Sequence, residues 1–302
     1  MAAEFVVTSQ LVNLGSGSIL IDNEMTSIEG IILATNGFSD SIADLTVQAN
    51  WIAGIRAKTV FPIMNLDSYE ATGEDKVYTS ALDNEKVLRK AKKKLALKFD
   101  LPFAVHQKLQ TFDKADLRVF EIRDGKICFY NDGGTGKGFS TKNVNVGNLP
   151  EVAADGSAPA LSPVSITYAD HREWDLYGAY VTPTWSPLDL EPMRDVIVTA
   201  AKVSATEITI TVKAATGLYD SAGAPTYTMV KGIAVADFEI YEGSVHLVAQ
   251  TPTSPIVDNG DGTYTATKST NFVTGNANIK APSAQATTGL LIESTGDAAF
   301  TI

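Results

Sequence analysis

Lys94–Leu101 reads KLALKFDL, and its alternation is strict. Leu95, Leu97, Phe99 and Leu101 fall on one face, and Lys94, Ala96, Lys98 and Asp100 on the other. A period of two is the pattern of a strand with one face buried and one in water. The same signal recurs on either side. Leu117–Ile122 and Lys126–Tyr130 flank Arg123-Asp124-Gly125, and Asp-Gly between β-prone runs marks a hairpin. Val164–Tyr168, Gly178–Thr184, Val196–Ala200 and Glu207–Val212 are predicted as further strands. Ile256–Ala266 (IVDNGDGTYTA) is predicted as a turn between strand formers. Helix signals are few. Ser39–Ile55 places Ile42, Leu45, Ile52 and Ile55 at helical spacing behind Asp40 as a cap, and Pro102–Thr111 (PFAVHQKLQT) has Pro102 near its start with Asp100 for capping. The expectation is a mainly β protein: a β-sandwich or barrel with one or two helices.

The 302 residues are enough for two domains, and 44% hydrophobic content is enough for a sizeable core. The composition changes near Pro192–Asp195. Before it stands the aromatic-rich HREWDLYGAYVTPTW; after it comes an Ala- and Thr-rich segment of short β-type runs. Residues 1–195 are therefore read as one β-rich domain with an N-terminal extension, and residues 196–302 as an immunoglobulin-like sandwich lacking the Cys pair and core Trp of antibody domains.

Thirty-five acidic against 24 basic side chains give a net charge of -11, which argues against a protein that wraps nucleic acid by neutralising phosphates. The single cysteine, Cys128, lies in an apolar run and is expected to be a buried structural thiol. The N-terminus has no basic region followed by an apolar stretch, and no run of about 18 apolar residues occurs, so no membrane insertion and synthesis in a cytoplasm are expected.

Four patterns resemble chemical sites. Tyr130–Lys142 (YNDGGTGKGFSTK) looks like a phosphate-binding loop, but Gly138 follows Gly136-Lys137 where a Ser or Thr would ligate magnesium, and no helical period follows; a connection between strands is the better reading. Asp258-Asn-Gly-Asp-Gly-Thr resembles a calcium loop, but its twelfth position is Ser269 rather than Glu, which favours a hairpin turn. His106, His171 and His246 form no metal-binding pair, and no G-x-S-x-G turn occurs, so no cofactor, metal or catalytic residue is expected. Trp174, Tyr177, Tyr180 and Trp185 are candidates for a carbohydrate-stacking platform, weighed against core and interface packing.

The basic run Lys86–Lys98 (KVLRKAKKKLALK) leaves three readings open: a solvated face, a nucleic-acid patch, or a contact with an acidic surface of an identical neighbour. The preceding Asp67–Glu85 (DSYEATGEDKVYTSALDNE), acidic and without regular pattern, is the candidate for that surface. On this reading the intersubunit residues are Asp67, Glu70, Glu74, Asp75, Lys90, Lys92 and Lys94.

Ala81–Phe120 (ALDNEKVLRKAKKKLALKFDLPFAVHQKLQTFDKADLRVF), followed by EIRDGKICF and the loop at Gly133–Gly138, resembles virion structural proteins of tailed bacteriophages, especially those of gut Bacteroides-type bacteria. In layout it is most similar to tail tube proteins. The resemblance implies a sandwich or barrel with a flanking helix at Pro102–Thr111 and a long loop at Asp67–Glu85 reaching a neighbouring subunit. It further implies an appended Ig-like domain at Val196–Ile302 and self-assembly into stacked rings, hexameric in such families. The implied partners are copies of this chain, other virion proteins, genome DNA passing without specific binding and host-surface glycans; the implied location is the virion. Residues 1–60 exceed what a simple tube subunit requires, which keeps a head, decoration or neck protein open.

Overall fold

The computed structural model describes residues 27–73, 76–79, 85–89, 92–149, 161–219, 221–243, 245–247, 256–285, 291–296 and 298–301. They fall into two compact units, the first ending at Glu191 and the second beginning at Pro192. Both are built mainly from β-strands in curled sheets.

The first unit contains β1 (Ile28–Thr35), β2 (Asp40–Ser41), α1 (Gln48–Arg56), β3 (Val60–Ile63), β4 (Leu66–Thr72), β5 (Lys76–Thr79), β6 (Glu85–Arg89), β7 (Lys94–Phe99), α2 (Phe103–Leu109), β8 (Leu117–Arg123), β9 (Lys126–Asp132), β10 (Thr135–Lys137), β11 (Phe139–Val146), β12 (Ser162–Tyr168), α3 (His171–Asp175) and β13 (Gly178–Val181). The path through its main sheet is β2-β10-β9-β8-β11-β12-β7-β4, with β1 along β8, β3 beyond β1 and β13 on β9. Neighbouring strands are antiparallel throughout. The sheet curls so that Leu95, Leu97 and Phe99 of β7 share one core with Ile31 and Leu33 of β1, Val119 of β8 and Ile166 of β12. That is the face the alternation of KLALKFDL assigns to the interior, and β7 is buried at every second residue.

β1 and β8 are covered on both sides. Opposite the shared core, Trp51 of α1 stacks edge-on against Phe120 at 5.0 Å and lies 5.5 Å from Phe38. Its indole N–H donates to the Leu45 carbonyl at 2.9 Å, so the ring is buried without an orphaned donor. α1 approaches β3 closely at Gly54, where a Cβ would meet Val60 Cγ2 at 2.7 Å.

The helix expected over Ser39–Ile55 is corrected. Asp40 and Ser41 pair with Gly136 and Thr135 as β2, so Asp40 caps nothing. A 3-10 turn follows at Asp44–Thr46, with the Ser41 hydroxyl accepting the Asp44 amide, and extended Val47 interrupts the chain before α1. α2 lies within the expected Pro102–Thr111, but Pro102 is its N-cap with no side-chain bond. Asp100 does not cap it. α3 was not expected; Asp170 supplies its N-cap by accepting the Arg172 amide.

The loop that resembled a phosphate cradle is strand–turn–strand. Gly133 and Gly134, at φ 62° and 100°, turn β9 into β10, and Lys137 bonds Asp132 across the hairpin at 2.6 Å. Asp124-Gly125 makes the other tight hairpin, with Arg123 opposite Lys126.

The second unit contains β14 (Arg194–Ser204), β15 (Glu207–Tyr219), β16 (Pro225–Met229), β17 (Phe238–Glu242), β18 (Val245–Leu247), β19 (Ile256–Asp258), β20 (Thr263–Thr267), β21 (Gly275–Ile279), β22 (Ile292–Ser294) and β23 (Ala298–Phe300). One sheet runs β19-β20-β15-β14-β22 with β16 on β15; the other runs β18-β17-β21-β23. Val198, Ile208 and Ile210 of the first pack with Phe238, Ile240 and Phe300 of the second, so the unit is a β-sandwich. In the turn after β19, Asp258 accepts the Gly260 amide and Asp261 the Thr263 amide. Those carboxylates stabilise a β-turn of the Asx type.

Candidate functional site: an exposed strand edge rooted on a buried ion cluster

The expected intersubunit residues lie on or beside a hairpin. Asp67–Glu85 is not an irregular loop in its described parts. β4 pairs with β7 in the register Ser68↔Lys98, Glu70↔Ala96 and Thr72↔Lys94, and β5 pairs with β6 beyond it. Asp67 sits where the β4 register shifts, and Glu70 is exposed, diagonal to Lys94 and Lys98. The acidic and basic strands therefore lie side by side in one chain, at the spacing where opposite charges attract across a ladder. Lys92 precedes β7 and Lys94 begins it. Glu74, Asp75 and Lys90 lie outside the described residues.

β4 ends the sheet, and among the described residues nothing pairs along its far side. Every residue from Asp67 to Thr72 is exposed. The solvent face of the adjoining layer has Asn145, Ser165, Ala96 and Glu70 in one row and Asn143, Thr167, Lys94 and Thr72 in the next. Apart from Ala96 and the opposite charges of Glu70 and Lys94, these two rows carry short hydroxyl and amide side chains, not an acidic wall.

Behind the hairpin root the interior changes from apolar to ionic. Leu117, Val119, Glu121 and Arg123 share one face of β8, and the first two belong to the core. Glu121 is wholly buried. Its Oε1 accepts from Lys93 Nζ at 2.7 Å and from the Tyr168 hydroxyl; its Oε2 accepts from Arg123 Nε and Nη2, each at 2.7 Å. The Lys93 ammonium also stands 3.5 Å from the Trp174 ring centroid, with the Arg123 guanidinium at 5.1 Å. Burial alone would raise the Glu121 carboxyl, but the Lys93 and Arg123 charges outweigh it and hold it below the ordinary 4.5. Burial also lowers the Lys93 ammonium, against the pull of Glu121. Glu121 stays ionised, because four donors from Lys93, Arg123 and Tyr168 converge on its oxygens. With both oxygens occupied, Glu121 has no free position for proton transfer and acts as a tie between strands.

Cys128 lies beside this cluster, and burial, followed by the Glu121 charge, pushes its thiol up to about 12. It is a protonated, unreactive thiol at neutral pH. The aromatic platform is not assembled: Tyr180 is buried, Trp174 packs on Phe139 at 4.7 Å, and Trp185 donates to the Thr46 carbonyl. Tyr177 alone of the four is exposed.

His106, 5% exposed, bonds Ser162 through Nδ1 at 3.1 Å, and the Gln110 amide nitrogen lies 3.1 Å from both its Nε2 and the Gly147 carbonyl. Gln110 donating to Nε2 leaves the proton on Nδ1, so a second proton would face a donor. Burial likewise holds His106 below the ordinary 6.5. The folded chain then binds this proton less readily than the unfolded chain. The resulting stability is complete above pH 6.5 and is lost as pH falls through the lower folded value. Urea midpoints should therefore fall between pH 7 and pH 5, and His106→Asn, which keeps the donor to Ser162, should flatten that slope. His171 lies at the start of α3 and His246 in β18.

The sequence reading missed Lys93, Glu121, Arg123 and Tyr168. The signal was phase: Lys93 continues the row Leu95, Leu97, Phe99, and Glu121 continues the row Leu117, Val119. Among the described residues no group of three His, Cys, Asp or Glu side chains is arranged to hold a metal. No helix there is long and apolar enough to cross a membrane. Compared with known proteins, the chain matches no family model, no curated protein and no solved structure.

Proposed function

We propose that this chain is a self-assembling structural protein of a virion, a tail-tube type of subunit whose copies pair sheet to sheet into rings that stack. The observation that supports this most is β4: a seven-residue strand, exposed from Asp67 to Thr72, at the end of a large sheet among the described residues and followed by the β5–β6 hairpin. A long strand edge left open is a template for pairing with another chain, and soluble monomers usually blunt or cover such edges. Closed rotational symmetry lets each copy satisfy its neighbour's edge without leaving one free. The β5–β6 hairpin is the element that reaches the neighbouring ring. Genome DNA is the passing partner, and the net charge of -11 disfavours its retention. The engaged Trp174, Tyr180 and Trp185 weigh against the carbohydrate-platform alternative.

Sedimentation velocity over a hundredfold range of concentration tests this reading. Species several times the 32.1 kDa monomer are expected to grow in with concentration. A single monomer boundary throughout would overturn it.

A further inference from the structure

We propose that Lys93 is a positioning residue that fixes the root of the β4–β7 hairpin to the core and so holds the exposed β4 edge ready to pair. This rests on the assembly role of β4 for its consequence, but not for its structural content.

Three lysines stand in a row at the start of β7, and they part company. Lys94 is exposed, Lys92 precedes it in a half-buried position, and Lys93 turns into the core in phase with Leu95, Leu97 and Phe99. Among the described residues, pairing between the two sides of the hairpin runs through Thr72↔Lys94 in β4–β7 and through Lys76↔Arg89 in β5–β6. Just before β7, Lys93 supplies cross-ties to other elements. Its carbonyl accepts the Tyr168 amide at 3.0 Å, extending the attachment to β12. Its ammonium bonds Glu121 of β8 and lies over Trp174 of α3. Because β4 pairs only with β7 among the described strands, whatever secures the start of β7 also secures the end of β4. Ordering a residue costs backbone entropy, so an edge already ordered in the free chain joins a neighbour at lower cost.

The test compares the full chain with Lys93→Met and with a Lys92→Met control, by hydrogen exchange on the monomer at low concentration. Lys93→Met should speed exchange of the 66–72 and 94–99 amides by about tenfold or more beyond any change shared with the amides of Ile31–Leu33 and Val119, a change of local opening. Lys92→Met should leave both sets unchanged. Lys93→Cys supplies the rescue: alkylation with 2-bromoethylamine displaces bromide from carbon by the thiolate, giving a thioether that ends in an ammonium one lysine length away. Buried, protonated Cys128 does not compete. Protection of the 66–72 and 94–99 amides should return with the ammonium.

Loss of protection spread evenly over the first unit, or failure of both variants to fold, would overturn the proposal, since Lys93 would then be a general stability residue. Unchanged exchange would overturn it too. Selective loosening in a chain that never assembles would leave the role of Lys93 standing and remove the assembly reading alone.

Discussion

Replacing Glu121 with alanine should lower the stability of the first unit by about 3–5 kcal/mol, the usual cost of removing one partner from a buried ion pair. The reason is what remains. Lys93 and Arg123 would face each other with the carboxylate gone, and the Tyr168 hydroxyl would lose its acceptor. For a unit of this size each kcal/mol moves the melting midpoint by roughly 2–4 °C, so a fall of roughly 6–20 °C is expected by calorimetry. Replacing Lys93, Glu121 and Arg123 together with apolar residues of similar volume should recover most of the loss, because no charge is then left buried alone. The acid limb follows the same logic. With its folded pKa below 4.5, Glu121 stabilises the fold fully above that pH, and the contribution disappears as pH falls through the folded value. Glu121→Ala should therefore flatten stability below about pH 4.5. A Glu121→Ala midpoint within a degree of the parent would show that the cluster does not tie the strands.

A proline in β4 should separate folding from assembly. Neighbouring residues in a strand direct their N–H groups to opposite sides, and proline is tolerated on an edge strand where the missing N–H faced away from the sheet. Tyr69→Pro and Glu70→Pro thus form a matched pair: one removes a donor directed at β7, the other a donor directed at open solvent. The variant of the second kind should fold like the parent, yet need at least about tenfold more protein to assemble, equivalent to roughly 1.4 kcal/mol at each new contact. Sedimentation and circular dichroism on the same samples distinguish the two. If both variants fold and both assemble at the parent's threshold, β4 is not the joining edge.

Local pattern made much of the fold legible and pairing order did not. The alternation of KLALKFDL gave the correct buried face of β7, and Asp124-Gly125 marked its hairpin, because both depend on neighbours in sequence. The placement of β12 between β11 and β7 joins segments far apart in the chain, and nothing in either segment names its partner. The helix expected over Ser39–Ile55 was too long because Ile42, Leu45 and Ile52 keep helical spacing while Ser41 and Val47 favour a turn and an extended link. The acidic stretch after Leu66 lacks a strand signal because Asp and Glu are poor strand formers. On an exposed edge that preference costs little, and Tyr69 and Thr72 suffice. The ion cluster was hidden by company: Lys93 sits within a run of lysines and Glu121 between β-prone residues, so charge composition masked what phase would have disclosed.

Negative-stain electron microscopy of the purified full chain, at concentrations spanning its sedimentation range, addresses the central claim most directly. Rings of uniform diameter, or hollow tubes made of them, are the predicted result, and the outward-directed proline in β4 should delay them to at least about tenfold higher concentration. A field of dispersed single particles at the highest concentration would contradict the account.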